Sequence, residues 1–113
     1  MKDSTIYLSD IIEAMAKIQR YTDGLTFESF AANEMVVDAV NRNLEIIGEA
    51  ARSIPEGIRN SNPQIPWQRM IGLRNIVVHE YFGIDLNIVW EIVRVNIPET
   101  RPLMEAMLKA MED

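Results

Sequence analysis

The sequence contains no cysteine and only one histidine among its 113 residues. Without cysteine, a disulfide framework, thiol catalysis and a cysteine-ligated zinc or iron–sulfur site are excluded. A single histidine also excludes a metal centre built from several histidines of one chain. No apolar run approaches the roughly 20 residues that a membrane-spanning helix needs. We therefore expect a cytoplasmic protein with no signal peptide, no membrane contact, and no metal or cofactor.

Basic residues are also scarce, because 11 lysines and arginines stand against 17 acidic residues, for a net charge of -6. This balance argues against a broad surface that coats nucleic acid. Residues 40–80 are the exception, with only four acidic residues against five arginines: Arg42, Arg52, Arg59, Arg69 and Arg74. This central part of the chain is where a small anion site can lie.

Period-two alternation is rare, and the apolar residues recur with helical spacing almost throughout the chain. The pattern predicts helices over about 4–22, about 33–53 and from 66 to near Tyr81, and a fourth from Asp85 towards the C-terminus. We expect a short turn after Thr26 and a Pro/Gly/Asn-rich connection over 55–65. The length is that of one domain, so residues 1–113 are predicted to form one all-α, up-and-down bundle of four or five helices.

Local signals set the expected ends of these helices. Gly24 is a stop signal, while Thr26, Asn33 and Asp85 are N-cap residues. The long second helix carries a continuous apolar stripe at alternating three- and four-residue spacing: Val36, Val40, Leu44, Ile47, Ala51 and Ile54.

Glycine and proline inside predicted helices need an explanation. Gly48 and Gly72 each cost about 1 kcal/mol relative to alanine, which favours close helix–helix approach there, with backbone access for a ligand as the alternative. Pro98 and Pro102 fall within the last helix, where proline costs about 3 kcal/mol and removes a hydrogen bond. We expect a kink or a short break between Asn96 and Pro98.

The stretch from Arg74 to Tyr81 concentrates the chemically useful side chains, including the only histidine, His79. Five residues at about 100° each place Arg74 and His79 about 140° apart on a straight helix, whereas Asn75 and His79 share one face. If Arg74 and His79 act on one phosphate, either the helix frays near His79 or two copies meet across a two-fold axis.

These residue types permit cleavage of a phosphodiester without a metal. A histidine with a pKa of about 6.5 exchanges protons near neutrality, and an arginine binds phosphate oxygens through its planar fork. The 2′-hydroxyl of RNA supplies the nucleophile, and Asn75 can orient the histidine or the phosphate. The competing structural interpretation makes His79 a helix C-terminal cap, Arg74 a solvated side chain and Tyr81 a packing aromatic. Trp67 and Trp90 fit core or interface anchors.

The segment Arg74-Asn75-Ile76-Val77-Val78-His79-Glu80-Tyr81 resembles the Arg-x4-His-x-Tyr signature of the HepT-like family of HEPN-domain ribonuclease toxins, from HepT/MntA toxin–antitoxin systems. The likeness extends to residues 43–51 (NLEIIGEAA), 67–74 (WQRMIGLR) and 81–85 (YFGID), and to Val89-Trp90, in matching order and spacing. It therefore covers most of the chain.

The resemblance implies a HEPN-type bundle that forms a homodimer with a metal-independent endoribonuclease site in the interface cleft. By position, Arg74 and His79 are the implied catalytic pair, with Asn75 as the polar residue beside the arginine. It also implies an MntA-type nucleotidyltransferase antitoxin that transfers AMP to Tyr81 and so blocks RNA by bulk and charge. Possible RNA contacts, on the arginine-rich central part, are Arg42, Arg52 and Arg69, with a structured tRNA as one candidate substrate.

Two other interpretations stay open from the sequence. A non-catalytic companion module that binds a minimal nucleotidyltransferase suits the acidic composition. A structural dimerisation bundle predicts that alanine at Arg74 and His79 changes only stability.

Overall fold

A computed structural model describes residues 3–78 and 85–113, and every element within these ranges is helical. The elements are α1 (Ser4–Thr22), α2 (Phe27–Ala32), α3 (Glu34–Ser53), α4 (Glu56–Asn60), α5 (Trp67–Val78), α6 (Leu86–Glu91), a π-helical segment (Ile92–Asn96) and α7 (Ile97–Glu112). The prediction of an all-α bundle is confirmed. The predicted end of the third helix near Tyr81 lies outside the described residues.

Side-chain caps determine where the helices begin. Thr26 and Ser29 form a reciprocal capping box at the start of α2, and the Asn33 side chain accepts from the Val36 amide at 3.2 Å. Asp85 accepts from the Asn87 amide at 2.9 Å. These three predicted N-caps are confirmed. Asp3, which accepts from the Thr5 amide, is a fourth cap that the sequence analysis did not name.

The core lies along the faces where α3 packs against α1 and α5, while α1 also packs against α7. Five members of the predicted α3 stripe are fully or almost fully buried, and only Val36 remains half-buried. From α1 the core receives Leu8, Ile11, Met15 and Ile18. α3 is therefore the central helix of the bundle, and α5 is held to the rest of the protein chiefly through it.

Aromatic residues anchor the shorter elements, as predicted. Phe30 of α2 is fully buried and stacks on Trp90 of α6, with ring centroids 5.0 Å apart. The buried Trp67 donates from its indole Nε1 to the Asn62 carbonyl at 3.0 Å, which fixes the connection before α5. Such a bond satisfies the polar edge of a ring that is otherwise packed among apolar groups.

The predicted irregularity before Pro98 takes the form of a π-helical segment. The helix widens over Ile92–Asn96 and returns to α-helical geometry at Ile97, so that Pro98 stands at the start of α7. The preceding turn stays helical, with the Ile97 amide donating to the Ile92 carbonyl five residues back, so the proline follows a widened turn and not a free helix end. Pro102, in contrast, lies inside α7 without ending it.

The two helical glycines have different surroundings. A Cβ atom on Gly48 would lie 3.1 Å from the Arg74 amide nitrogen and 3.2 Å from the Met70 carbonyl oxygen. A Cβ atom on Gly72 would meet nothing within 4 Å. The expected close approach is therefore confirmed at Gly48 and wrong at Gly72, whose exposed side faces an open groove.

This contrast predicts opposite effects of alanine at the two positions. Gly48→Ala pushes against backbone atoms of α5, which cannot swing aside, and should lower the free energy of unfolding by about 1–2 kcal/mol. Gly72→Ala meets open space and should raise it by about 0.5–1 kcal/mol through helix propensity. Urea denaturation followed by circular dichroism measures both, and equal effects of the two substitutions would contradict the assignment.

Candidate functional site

Arg74 and Asn75 lie side by side on the exposed face of α5. The neighbouring residues Met70, Leu73 and Val77 are buried, so they hold the helix against the core. Because adjacent helical residues are about 100° apart, the stripe that buries these three leaves Arg74 and Asn75 turned towards solvent. The helix thus presents a guanidinium and an amide together at its surface.

The two side chains border a depression between α3 and α5. It has a volume of about 350 Å³ and is lined by Gly48, Glu49 and Arg52 from α3 and by Ile71, Arg74 and Asn75 from α5. The close contact of Gly48 with α5 brings the two walls together. Of the three arginines proposed as RNA contacts, the structure places Arg52 beside Arg74.

The charged side chains of this depression are not paired with one another. Within residues 3–78 and 85–113, the guanidinium groups of Arg52 and Arg74 and the carboxylate of Glu49 form no hydrogen bond or ion pair. Two positive charges and one negative charge leave a local excess of one positive charge on a protein of net charge -6. Unpaired guanidinium groups offer several N–H donors to the oxygens of a phosphate.

The other two arginines proposed as RNA contacts lie elsewhere. Arg42 is on α3 but about 15 Å from Arg52 along the helix axis, and it approaches Glu45 at 3.8 Å. Arg69 lines a different opening, on roughly the opposite face of α5 from Arg74. The structure therefore separates three residues that the sequence grouped, although their contacts with RNA stay a prediction.

The opening beside Arg69 is a largely apolar groove of about 460 Å³. It lies between α5 and the C-terminal helices, which are α6, the π-helical segment and α7. Its apolar lining includes Met70, Leu73 and Ile92, and its polar groups are few: Arg69, Glu91, Asn96 and Thr100. With one cationic and one anionic residue, the groove has no charge excess that favours phosphate.

His79 and Tyr81, the other residues of the predicted site, lie outside the described residues. Their proposed roles stay predictions, and so does the relation of His79 to Arg74. Among the residues that are described, no three acidic or histidine side chains gather as metal ligands. Nor does any helix in this part of the chain have the length and apolar character of a membrane span.

The sequence alone assigns no role to Glu49, which shares the depression with Arg74. A signal was present, because Glu49 follows Gly48 directly and stands three residues before Arg52, on the same side of a helix. That signal becomes specific only once the structure shows which face of α3 meets α5.

The depression can bind an anion and hold it beside a carboxylate and an amide. Arg52 and Arg74 supply donors for the non-bridging oxygens of a phosphodiester, and Asn75 supplies both a donor and an acceptor. A volume of about 350 Å³ is within the range of small-ligand sites. The described residues thus provide phosphate binding and charge stabilisation, which are two of the functions that RNA cleavage requires.

Comparison with known proteins gives a consistent result. Residues 11–107 match the family described as Ribonuclease HepT-like. The chain is 39% identical over 103 residues to "Probable ribonuclease HepT" of Thermococcus cleftensis, covering 91% of this chain and 94% of the relative. It is 40% identical over 104 residues to "Putative RNase MJ1380" of Methanocaldococcus jannaschii, covering 92% and 95%.

A further relative is longer. The chain is 40% identical over 112 residues to "Gamma-glutamylcyclotransferase and putative RNase MJ0434" of M. jannaschii, covering 99% of this chain but only 49% of that protein. The chain thus spans about half the length of this relative. No solved structure shows a significant match to the chain. Since the family match extends over most of the chain and two relatives align nearly end to end, the chain belongs to the HepT-like ribonuclease family.

Proposed function

We propose that this protein is a metal-independent endoribonuclease toxin that cleaves RNA at the Arg74/His79 site. The observation that carries the proposal is the depression in which Arg74 and Asn75 meet a second unpaired arginine, Arg52. Membership in a ribonuclease family supports the choice of RNA over other phosphate esters. A structured RNA such as tRNA is the proposed substrate, because a small positive depression on an acidic protein favours local over extended contact.

In the proposed mechanism Arg74 and Arg52 hold the non-bridging oxygens of the scissile phosphate and stabilise the charge that develops on them. The RNA 2′-hydroxyl attacks phosphorus, and His79 carries a proton in this step or to the leaving group. Asn75 orients the phosphate or the imidazole. No step of this mechanism uses a metal ion.

The proposal includes two partners. A second copy of the chain forms a homodimer, and the Arg74/His79 site lies in the cleft at its interface. An MntA-type nucleotidyltransferase antitoxin neutralises the toxin by transferring AMP to Tyr81. The whole system is expected in the cytoplasm.

One observation favours a second candidate function. The net charge of -6 weakens non-specific affinity for RNA, and it suits a non-catalytic companion module that binds a nucleotidyltransferase. This candidate predicts no cleavage by the isolated protein and no arrest of growth on overexpression. A dimerisation bundle without a site predicts, in addition, that substitutions at Arg74 and His79 change stability alone.

Cleavage in the presence of excess EDTA tests the proposed function. The purified protein should cleave tRNA or total RNA, and His79→Ala should reduce the rate by about 10²–10⁴-fold, the usual contribution of a proton carrier. Intact mass of the same samples establishes that Tyr81 is unmodified. If the folded, unmodified protein cleaves neither RNA, the companion-module function replaces this one.

A matched pair of arginines tests the phosphate site. Arg52→Ala should lower kcat/KM for RNA several-fold because Arg52 lines the depression, whereas Arg42→Ala should change it by less than twofold because that side chain lies outside. Both residues are on α3, so the pair controls for loss of a positive charge on one helix. Equal effects of the two substitutions would show that the depression does not select the RNA.

Modification of Tyr81 is expected to abolish cleavage. Incubation with the nucleotidyltransferase partner and ATP should add one AMP per chain, seen by intact-mass spectrometry, and RNA cleavage should fall in proportion. Tyr81→Phe should accept no AMP and stay active in the presence of the partner. AMP transfer to Tyr81→Phe would place the modification on another residue.

A further inference from the structure

Cleavage of RNA by its own 2′-hydroxyl involves two proton transfers, and each is faster with a carrier of its own. One carrier accepts the proton of the attacking hydroxyl, and the other gives a proton to the leaving 5′-oxygen. The chain contains one histidine, so His79 can fill one of these positions within a chain. The second carrier is either the histidine of another copy or a different side chain of the same site.

The location of Glu49 fits the role of the second proton carrier. Among the described residues it is the one acidic side chain that lines the depression with Arg52, Arg74 and Asn75. Other glutamates on α3 lie elsewhere: Glu45 approaches Arg42 at 3.8 Å, one turn earlier. Glu49 forms no ion pair within the part of the chain that the structure describes, so its carboxylate is free to accept a proton from a bound ligand.

The backbone around Glu49 is also held firmly. Gly48, the residue before it, packs so closely on α5 that a Cβ atom would lie 3.1 Å from the Arg74 amide nitrogen. The Ser53 hydroxyl donates to the Glu49 carbonyl at 3.0 Å, within the last turn of α3. A reactive group on a packed helix keeps its position relative to the phosphate-binding arginines better than a group on a loop.

We propose that Glu49 is the general base of the cleavage reaction and that His79 is the general acid; this assignment rests on the proposed ribonuclease function. The Glu49 carboxylate takes the proton of the 2′-hydroxyl as the 2′-oxygen forms its bond to phosphorus. The bond between phosphorus and the 5′-oxygen breaks, and the leaving oxygen takes a proton from the His79 imidazolium. The products are a 2′,3′-cyclic phosphate and a 5′-hydroxyl, and solvent restores both protonation states.

Among the described residues, the charged groups that line the depression with Glu49 are Arg52, from its own helix, and Arg74, from α5. A rising limb on the acid side belongs to the base, and a falling limb towards alkaline pH belongs to the imidazolium acid.

The test compares wild type, Glu49→Gln and the control Glu45→Gln for cleavage of RNA in EDTA between about pH 4 and pH 9. Glutamine preserves size and removes the base, so Glu49→Gln should lower kcat by about 10²–10⁴-fold and remove the rising limb while keeping the falling one. Glu45→Gln should stay within about twofold of wild type, because Glu45 lies outside the depression.

A binding measurement separates catalysis from structure. Glu49→Gln should bind an uncleavable 2′-deoxy analogue of the substrate at least as tightly as wild type, since one negative charge has left the phosphate site. Undiminished cleavage by Glu49→Gln, or a slower reaction that keeps both limbs of the profile, would overturn the assignment and favour histidines from two copies. An inactive wild type, or an active His79→Ala, would instead overturn the ribonuclease mechanism itself.

Discussion

The contact between α3 and α5 at Gly48 is the constraint on which the site depends. Glycine favours so close an approach, because a Cβ atom on Gly48 would lie 3.1 Å from the Arg74 amide nitrogen and 3.2 Å from the Met70 carbonyl oxygen. The contact sets the separation of the two helices and therefore the width of the depression between them. It explains why a helix-destabilising residue stands in the middle of the most deeply buried helix of the bundle.

The positive charge of the depression arises because its arginine side chains form no ion pair within the described residues. Elsewhere on the surface, arginine and glutamate approach one another, as Arg42 and Glu45 do or as Arg101 and Glu105 do at 3.3 Å. Exposed pairs of this kind contribute little to stability, so removing them costs the fold almost nothing. Arg52 and Arg74 have no partner among residues 3–78 and 85–113; leaving them so likewise costs little, and it keeps both guanidinium groups available to an anion. A locally positive depression is thus compatible with an acidic protein of net charge -6.

Much of the fold could be predicted from the sequence because its signals are local. The caps at Thr26, Asn33 and Asp85 and the apolar stripe of α3 each depend on residues within a few turns of one another.

The site was only partly predictable. Spacing and resemblance point to Arg74 and Asn75. Which side chains of α3 lie beside them depends on which face of α3 meets α5. A list of central arginines could not distinguish Arg52 from Arg42 and Arg69, and it gave no reason to single out Glu49. The different surroundings of Gly48 and Gly72 have the same origin, since both are ordinary helical glycines until the neighbouring helix is in place.

The identity of the second proton carrier determines whether a dimer is needed for catalysis. If two histidines from two copies act together, a single chain has an incomplete site, and every change that weakens the dimer removes activity. If Glu49 is the base, the arginines, the amide and the carboxylate all come from α3 and α5 of one chain, held by one helix contact. A dimer would then shape the surface around the RNA and limit which RNA enters.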